Sequence, residues 1–171
     1  MQKFKKAVHY VIASTSPEEL GKTKLAKVLF FSDLDAFRRK GQPITEARYI
    51  KRQHGPMPDQ FYEAVESLAR EGKVAQRRAP HFGYEQHQFW AIEEPDLEGL
   101  SADDVATLAT YTRLICDNHT AASISDVTHN KAWELAEMGE EIPFAAYMAA
   151  EASGSPTLEE LAEIEARLGG Q

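Results

Sequence analysis

The stretch LAKVLFFSDLDAFRRKGQPITEARYIKRQHGPMPDQFYEAVESLAREG, residues 25 to 72, changes its hydrophobic period twice, and those changes set the fold. Leu25, Val28, Leu29, Phe30, Phe31, Leu34 and Phe37 nearly encircle a helix expected over about 22 to 40, which marks a central element buried on more than one side. Gly41 supplies the left-handed residue that commonly closes a helix, and Pro43 stops its continuation. "ITEARYIKR", residues 44 to 52, then alternates as a short strand, and Pro58 to Glu71 reads as a helix burying Phe61, Ala64, Val65 and Leu68 before Gly72. Between them "HGPMP", His54 to Pro58, is stiff, because each proline biases the residue before it toward extended backbone. It is expected to be a rigid corner, with Pro58 presetting the first turn of the helix.

Upstream, Phe4, Ala7, Val8, Val11 and Ile12 share one face of a helix over about 2 to 14, broken by Lys5, Lys6 and His9 in a way that a signal peptide is not. Ser16, Pro17 and Glu19 form a capping-box pattern for a short turn. Downstream, residues 73 to 92 alternate around a Phe82-Gly83-Tyr84 tip, a hairpin expected to join residues 44 to 52 in one small antiparallel sheet. Ser101 and Asp104 cap a helix over about 102 to 117 that buries Val105, Leu108, Ala109, Thr112 and Ile115. Residues 121 to 136 read as one helix or two, and "IPFAAYMAAEA" as another with Pro143 near its first turn. The fold class is α+β and mainly α-helical: a compact helical domain with a small antiparallel sheet or hairpin, and a winged-helix-like order in its N-terminal half. A single domain is expected over 1 to 152, a flexible "SGSP" breaker over 153 to 156, and an acidic amphipathic helix over 157 to 171. Leu158, Leu161, Ile164 and Leu168 share a face of that helix, which is too short to stand alone in water and must dock.

Composition narrows the function. The 171 residues are 43% hydrophobic and 27% charged, which is ordinary for a globular domain and excludes wholesale disorder. Cys116 is the only cysteine, so the chain has no intramolecular disulfide and no thiolate zinc cage, and a reducing cytoplasm fits it. No run approaches the ~20 apolar residues that span a bilayer, so no membrane role is expected. The net charge of −8 is divided: residues 1 to 78 hold 16 Lys+Arg against 9 Asp+Glu, whereas residues 79 to 171 hold 3 against 18. Such halves either attract each other or meet a charged partner.

No catalytic constellation, glycine-rich phosphate loop or dinucleotide fingerprint occurs, and no catalytic residue, cofactor or metal is assigned. His81 and His87 bracket the hairpin tip but lack a third ligand for a catalytic zinc. Asp33 and Asp35 diverge on their helix and are expected at the surface. Cys116 with His119 reads as a packed thiol beside a helix C-terminal histidine, since activated cysteines favour helix N-termini. His129 and Trp133, four apart, are expected to stack on one helical face.

These residues resemble a family. Leu29, Phe30, Phe31, Asp33, Gly41, Pro43, Ile44, Tyr49, Gly55, Pro56 and Tyr62 match the core of the Panacea domain, also called the SocA-like antitoxin family, and Thr128, His129 and Trp133 match its second block. The resemblance covers about residues 20 to 73 and 123 to 134. It implies a mainly helical domain with a small β element that acts as the antitoxin of a bacterial or phage toxin–antitoxin pair. Members neutralise different toxins by direct protein contact, and one branch delivers its toxin to a cytoplasmic protease as an adaptor. Some members carry an added DNA-binding domain, for which this chain is expected to have no room.

A non-enzymatic antitoxin binding a cognate protein toxin is therefore the leading expectation, with a cytoplasmic protease as a further partner if it is an adaptor. Its contact candidates are Arg48, Tyr49, His54, Gly55, Pro56, Met57, Pro58 and Tyr62, then His129 and Trp133. The alternative is a winged-helix-like nucleic-acid-binding regulator, with Lys22, Lys24, Lys27, Arg38, Arg39, Lys40, Arg48, Lys51, Arg52, Arg77 and Arg78 tracking phosphates. Asp59, Glu63, Glu66 and Glu71 in the recognition position disfavour it. A hydrolase using His54 or His129 ranks last for want of a nucleophile or metal shell.

Overall fold

The computed structural model describes residues 1–154 and 158–168. Helices α1 (Gln2–Ala13) and α2 (Pro17–Lys40) are followed by strands β1 (Tyr49–Arg52) and β2 (Gly55–Pro58), helix α3 (Phe61–Arg70), and strands β3 (Val74–His81) and β4 (Tyr84–Ala91). The rest is helical: α4 (Ala102–Asn118), α5 (Ala121–Thr128), α6 (Lys131–Leu135), α7 (Phe144–Ala152) and α8 (Leu158–Leu168). The fold is α+β and mainly helical, as the hydrophobic periods require.

Helix α2 is the axis of the core. Leu25, Val28, Leu29, Phe30 and Phe31 are each at most 3% exposed, and α1, α4, α5, β2 and β4 pack around them. Gly21, at φ 60 and ψ 166, breaks the helix after one turn, so the main rod starts beyond it. Gly41, at φ 74, closes the rod. The Ser101–Asp104 capping box forms, with both reciprocal bonds at 3.1 Å. The one expected at Ser16 and Glu19 does not: Ser16 makes no side-chain cap, and the Glu19 N–H donates to its carbonyl instead.

Three expectations about the 44-to-91 region are corrected. The first strand begins at Tyr49, because Thr45 is held by a side chain: its N–H donates to Asp33 Oδ1 at 2.8 Å and its hydroxyl to Asp33 Oδ2. Asp33, expected at the surface, is wholly buried and also accepts from the Tyr49 hydroxyl at 2.7 Å. Next, the strands do not merge into one sheet. Among the named strands, β1 pairs only with β2 and β3 only with β4. The other edge of β1 is occupied by residues 139–142, through Lys51 N–H to the Glu140 carbonyl and Ile142 N–H to the Tyr49 carbonyl, both at 2.8 Å. Finally, "HGPMP" is no corner into a helix. Arg52 pairs with Gly55, so Gln53 and His54 form a two-residue turn and Gly55 to Pro58 run back as an edge strand, where prolines are tolerated. Helix α3 starts later, at Phe61.

The β3–β4 hairpin forms with Phe82 and Gly83 at positive φ in its turn. Val105 and Ala109 are only half-buried on α4, whose core face is instead Leu108, Tyr111, Thr112 and Ile115. The start of α8 docks on the domain: Leu158 is 1% exposed, and Glu159 accepts from the Tyr111 hydroxyl. Ser155 and Pro156 of the breaker, and the side chains of Leu161, Ile164 and Leu168, lie outside the described residues. Ion pairs join the basic and acidic halves, among them Lys3–Asp104, Lys6–Asp96, Arg38–Glu151 and Arg39–Asp103. Part of the charge asymmetry is thus spent inside the fold.

Candidate functional site

The two motif blocks, far apart in sequence, meet at the tip of the β1–β2 hairpin. Gly55, at φ 98, lies so close to α5 and α2 that a Cβ there would sit 2.1 Å from Thr128 Oγ1 and 2.6 Å from Lys27 Nζ. Only glycine fits, for both the dihedral and the space. The Trp133 indole N–H donates to the Arg52 carbonyl at 3.0 Å, and Lys51 Nζ lies 4.3 Å over the Trp133 ring. Lys51 also donates to the carbonyls of Glu134 and Ala136, where the C-terminus of α6 leaves acceptors unpaired.

His129 and Trp133 do stack, with ring centroids 3.7 Å apart and planes 9° from parallel. They do not share one helical face, however. His129 caps α5, Asn130 caps α6, and the stack bridges the break between the two helices. Burial, aided by the charges of Lys27, His54 and Lys51, lowers the His129 pKa, which favours the neutral imidazole.

The other sequence candidates divide by exposure. Arg48, His54 and Tyr62 are at the surface; Arg48 is paired with Asp59 at 2.7 Å, and Lys22 Nζ donates to the Tyr62 hydroxyl at 3.2 Å. Tyr49, Gly55, Pro56, Met57 and Pro58 are buried. Tyr49 in particular packs its ring edge-on against Phe30 at 5.1 Å and spends its hydroxyl on Asp33. Burial raises the Asp33 pKa to about 6, against the opposing effect of its hydrogen bonds, and it raises the Tyr49 phenol as well. These buried residues shape the hairpin and present no side-chain surface of their own.

Lys27 was not singled out in sequence for this role. It is 2% exposed, its Nζ donates to the Pro56 carbonyl at 2.8 Å, and burial lowers its pKa to about 7. The signal was present: a lysine inside "LAKVLFF", on a helix that is apolar nearly all round, has no outward face to occupy. Lys27 borders a cavity of about 380 Å³ beside the hairpin tip, together with Lys22, Thr23, Arg52, His54 and Tyr62. No Asp or Glu among the described residues lines it.

Unpaired positive charge collects on this face. Within 4 Å, Lys22, Lys24, Lys27, Lys51 and Arg52 have no carboxylate partner among the described residues, while Arg38, Arg39, Lys40, Arg48 and Arg78 are all paired. Cys116 lies away from the hairpin in the buried core, with its thiol pushed up mainly by burial, as a packing residue should be. No group of three His, Cys, Asp or Glu is placed to hold a metal ion among the described residues. No helix there is long and apolar enough to cross a membrane.

A family model described as antitoxin SocA-like, Panacea domain, matches residues 25–134, which reach from α2 to α6 and include both motif blocks. No curated protein and no solved structure matches the chain.

Proposed function

The chain belongs to the antitoxin SocA-like, Panacea domain family, and on that premise we propose that it neutralises a cognate protein toxin by direct binding at the face around the β1–β2 tip. One observation carries the choice of face. The two motif blocks converge there, and the buried residues of both hold in place a surface whose cations have no carboxylate partner among the described residues. Such a surface attracts an acidic partner patch and speeds its encounter. Arg52, His54, Lys22 and Tyr62 are the contact residues of this reading, and Tyr49, Gly55, Thr128 and Trp133 are positioning residues beneath them.

The role is non-enzymatic: the protein occludes its toxin or holds it inactive. Co-expression with the protein encoded by the adjacent gene tests it, because an antitoxin should restore growth and co-purify with that protein. If the toxin's level falls only in cells with an intact protease, the adaptor route operates. An unchanged level with restored growth identifies occlusion.

A further inference from the structure

We propose that the cavity beside the β1–β2 tip is an oxyanion-binding site, taking a phosphate or carboxylate group between Lys27 at its floor and Lys22, Arg52 and His54 at its walls. The inference stands on the cavity itself and does not rest on the antitoxin reading.

Two lysines, an arginine and a histidine border about 380 Å³ of space with no carboxylate among the described lining residues. Lys27 is the informative one. An ammonium has three protons to donate, yet this one gives a single hydrogen bond, to the Pro56 carbonyl, and has no ion pair among the described residues. A buried cation left without a counter-charge is costly. Elsewhere in the molecule the fold avoids that cost, as where Lys5, 7% exposed, pairs with Glu71. Lys27 instead borders the cavity with no ion pair among the described residues. Thr23 and Tyr62, which carry neutral hydroxyl donors, also line the cavity, and a lining rich in donors suits an oxyanion with several acceptor oxygens.

An anion there restores the missing charge. It favours the protonated form of Lys27, so the pKa that burial lowers to about 7 rises when the site is filled. Lys22, Arg52, His54 and Tyr62 line the cavity with it, and His129 feels the Lys27 charge from α5.

The test uses the full chain labelled with ¹³C at lysine, titrated at constant ionic strength and pH 7 with inorganic phosphate and, separately, with acetate. The Lys27 Cε resonance should move saturably with phosphate at about millimolar concentration, in the direction of protonation. Lys27→Met, which replaces a buried charge by an apolar chain of similar length and should fold at least as well, should abolish saturable binding followed at the Tyr62 ring resonances. Arg52→Ala should weaken it at least fivefold. Arg113→Ala, at an exposed arginine on α4 that has no ion pair among the described residues and lies outside the cavity lining, should leave it unchanged. Saturation by phosphate alone identifies a phosphorylated ligand as the source, and equal saturation by acetate identifies a carboxylate such as an acidic side chain. A shift linear in both salts, or equal binding by Lys27→Met and the parent, overturns the site.

Discussion

Trp133 donates its indole N–H to the main-chain carbonyl of Arg52 at 3.0 Å, tying together two residues 81 positions apart. On one side of that bond the ring is stacked on His129, and on the hairpin side Lys51 caps the end of α6. The strand pairing therefore depends on a segment far downstream. Residues 139–142 complete the arrangement by bonding to the free edge of β1.

Trp133→Phe keeps a ring against His129 but leaves the Arg52 carbonyl without this donor. It should cost about 1 kcal/mol in urea unfolding. Amide hydrogen exchange should accelerate in the β1–β2 hairpin and residues 139–142 more than in α1 or α4. Uniform acceleration would show that the tryptophan is only a packing residue.

Gly55→Ala should be far more damaging, because its Cβ meets Thr128 Oγ1 and Lys27 Nζ well inside van der Waals contact at a left-handed φ. A loss of about 3 kcal/mol or more is expected. Adding Thr128→Ala removes the nearer obstruction, so the double variant should recover part of that loss. Strictly additive losses would contradict the close approach.

Asp33 and Lys27 give the molecule opposite pH dependences. The Asp33 pKa is raised to about 6 in the folded state, so its contribution is fully present below about pH 4 and is lost as pH rises through 6, by roughly 3 kcal/mol at most. The Lys27 pKa is lowered to about 7, so the unfolded chain binds the extra proton and stability rises between about pH 7 and 10.5. Stability followed by denaturant unfolding should fall from pH 4 to 6 and recover above 7. Asp33→Asn should flatten the first limb and Lys27→Met the second. Asp33→Asn should also lower stability at pH 5 by about 1 to 3 kcal/mol, since an amide cannot accept from Thr45 N–H, Thr45 hydroxyl and Tyr49 hydroxyl as a carboxyl does.

Arg52→Glu and Lys22→Glu reverse charge at an exposed and a half-buried position, neither with an ion pair among the described residues. Each should change stability by only about 0.5 kcal/mol. The double variant should weaken binding to the partner at least tenfold, mostly through slower association that becomes less salt-dependent. Unchanged association kinetics would place the interface elsewhere.

Much of the fold was readable because long periodic segments report burial directly. The seven apolar residues of α2, the Ser101–Asp104 cap and the Phe82-Gly83 turn all sit where their spacing puts them. The β1–β2 hairpin was not readable for a physical reason: Gly55 to Pro58 lack the alternation of a half-exposed strand, since all four are buried, and two prolines argue for a corner. Asp33 was misplaced because helical spacing says which groups diverge but not which face meets Thr45 and Tyr49. The stack of His129 on Trp133 was foreseen from their separation, although a helix break, not a shared face, creates it. Lys27 was visible as a cation in an apolar run, but its significance needs the cavity that only the folded chain forms.

The most direct test of the antitoxin reading is growth of cells expressing the adjacent gene's product with the parent chain, with the Lys22→Glu/Arg52→Glu variant, or with neither. The account predicts arrest without the chain, full growth with the parent, and arrest again with the charge-reversed variant at equal soluble level. Arrest that persists with the parent chain would contradict it.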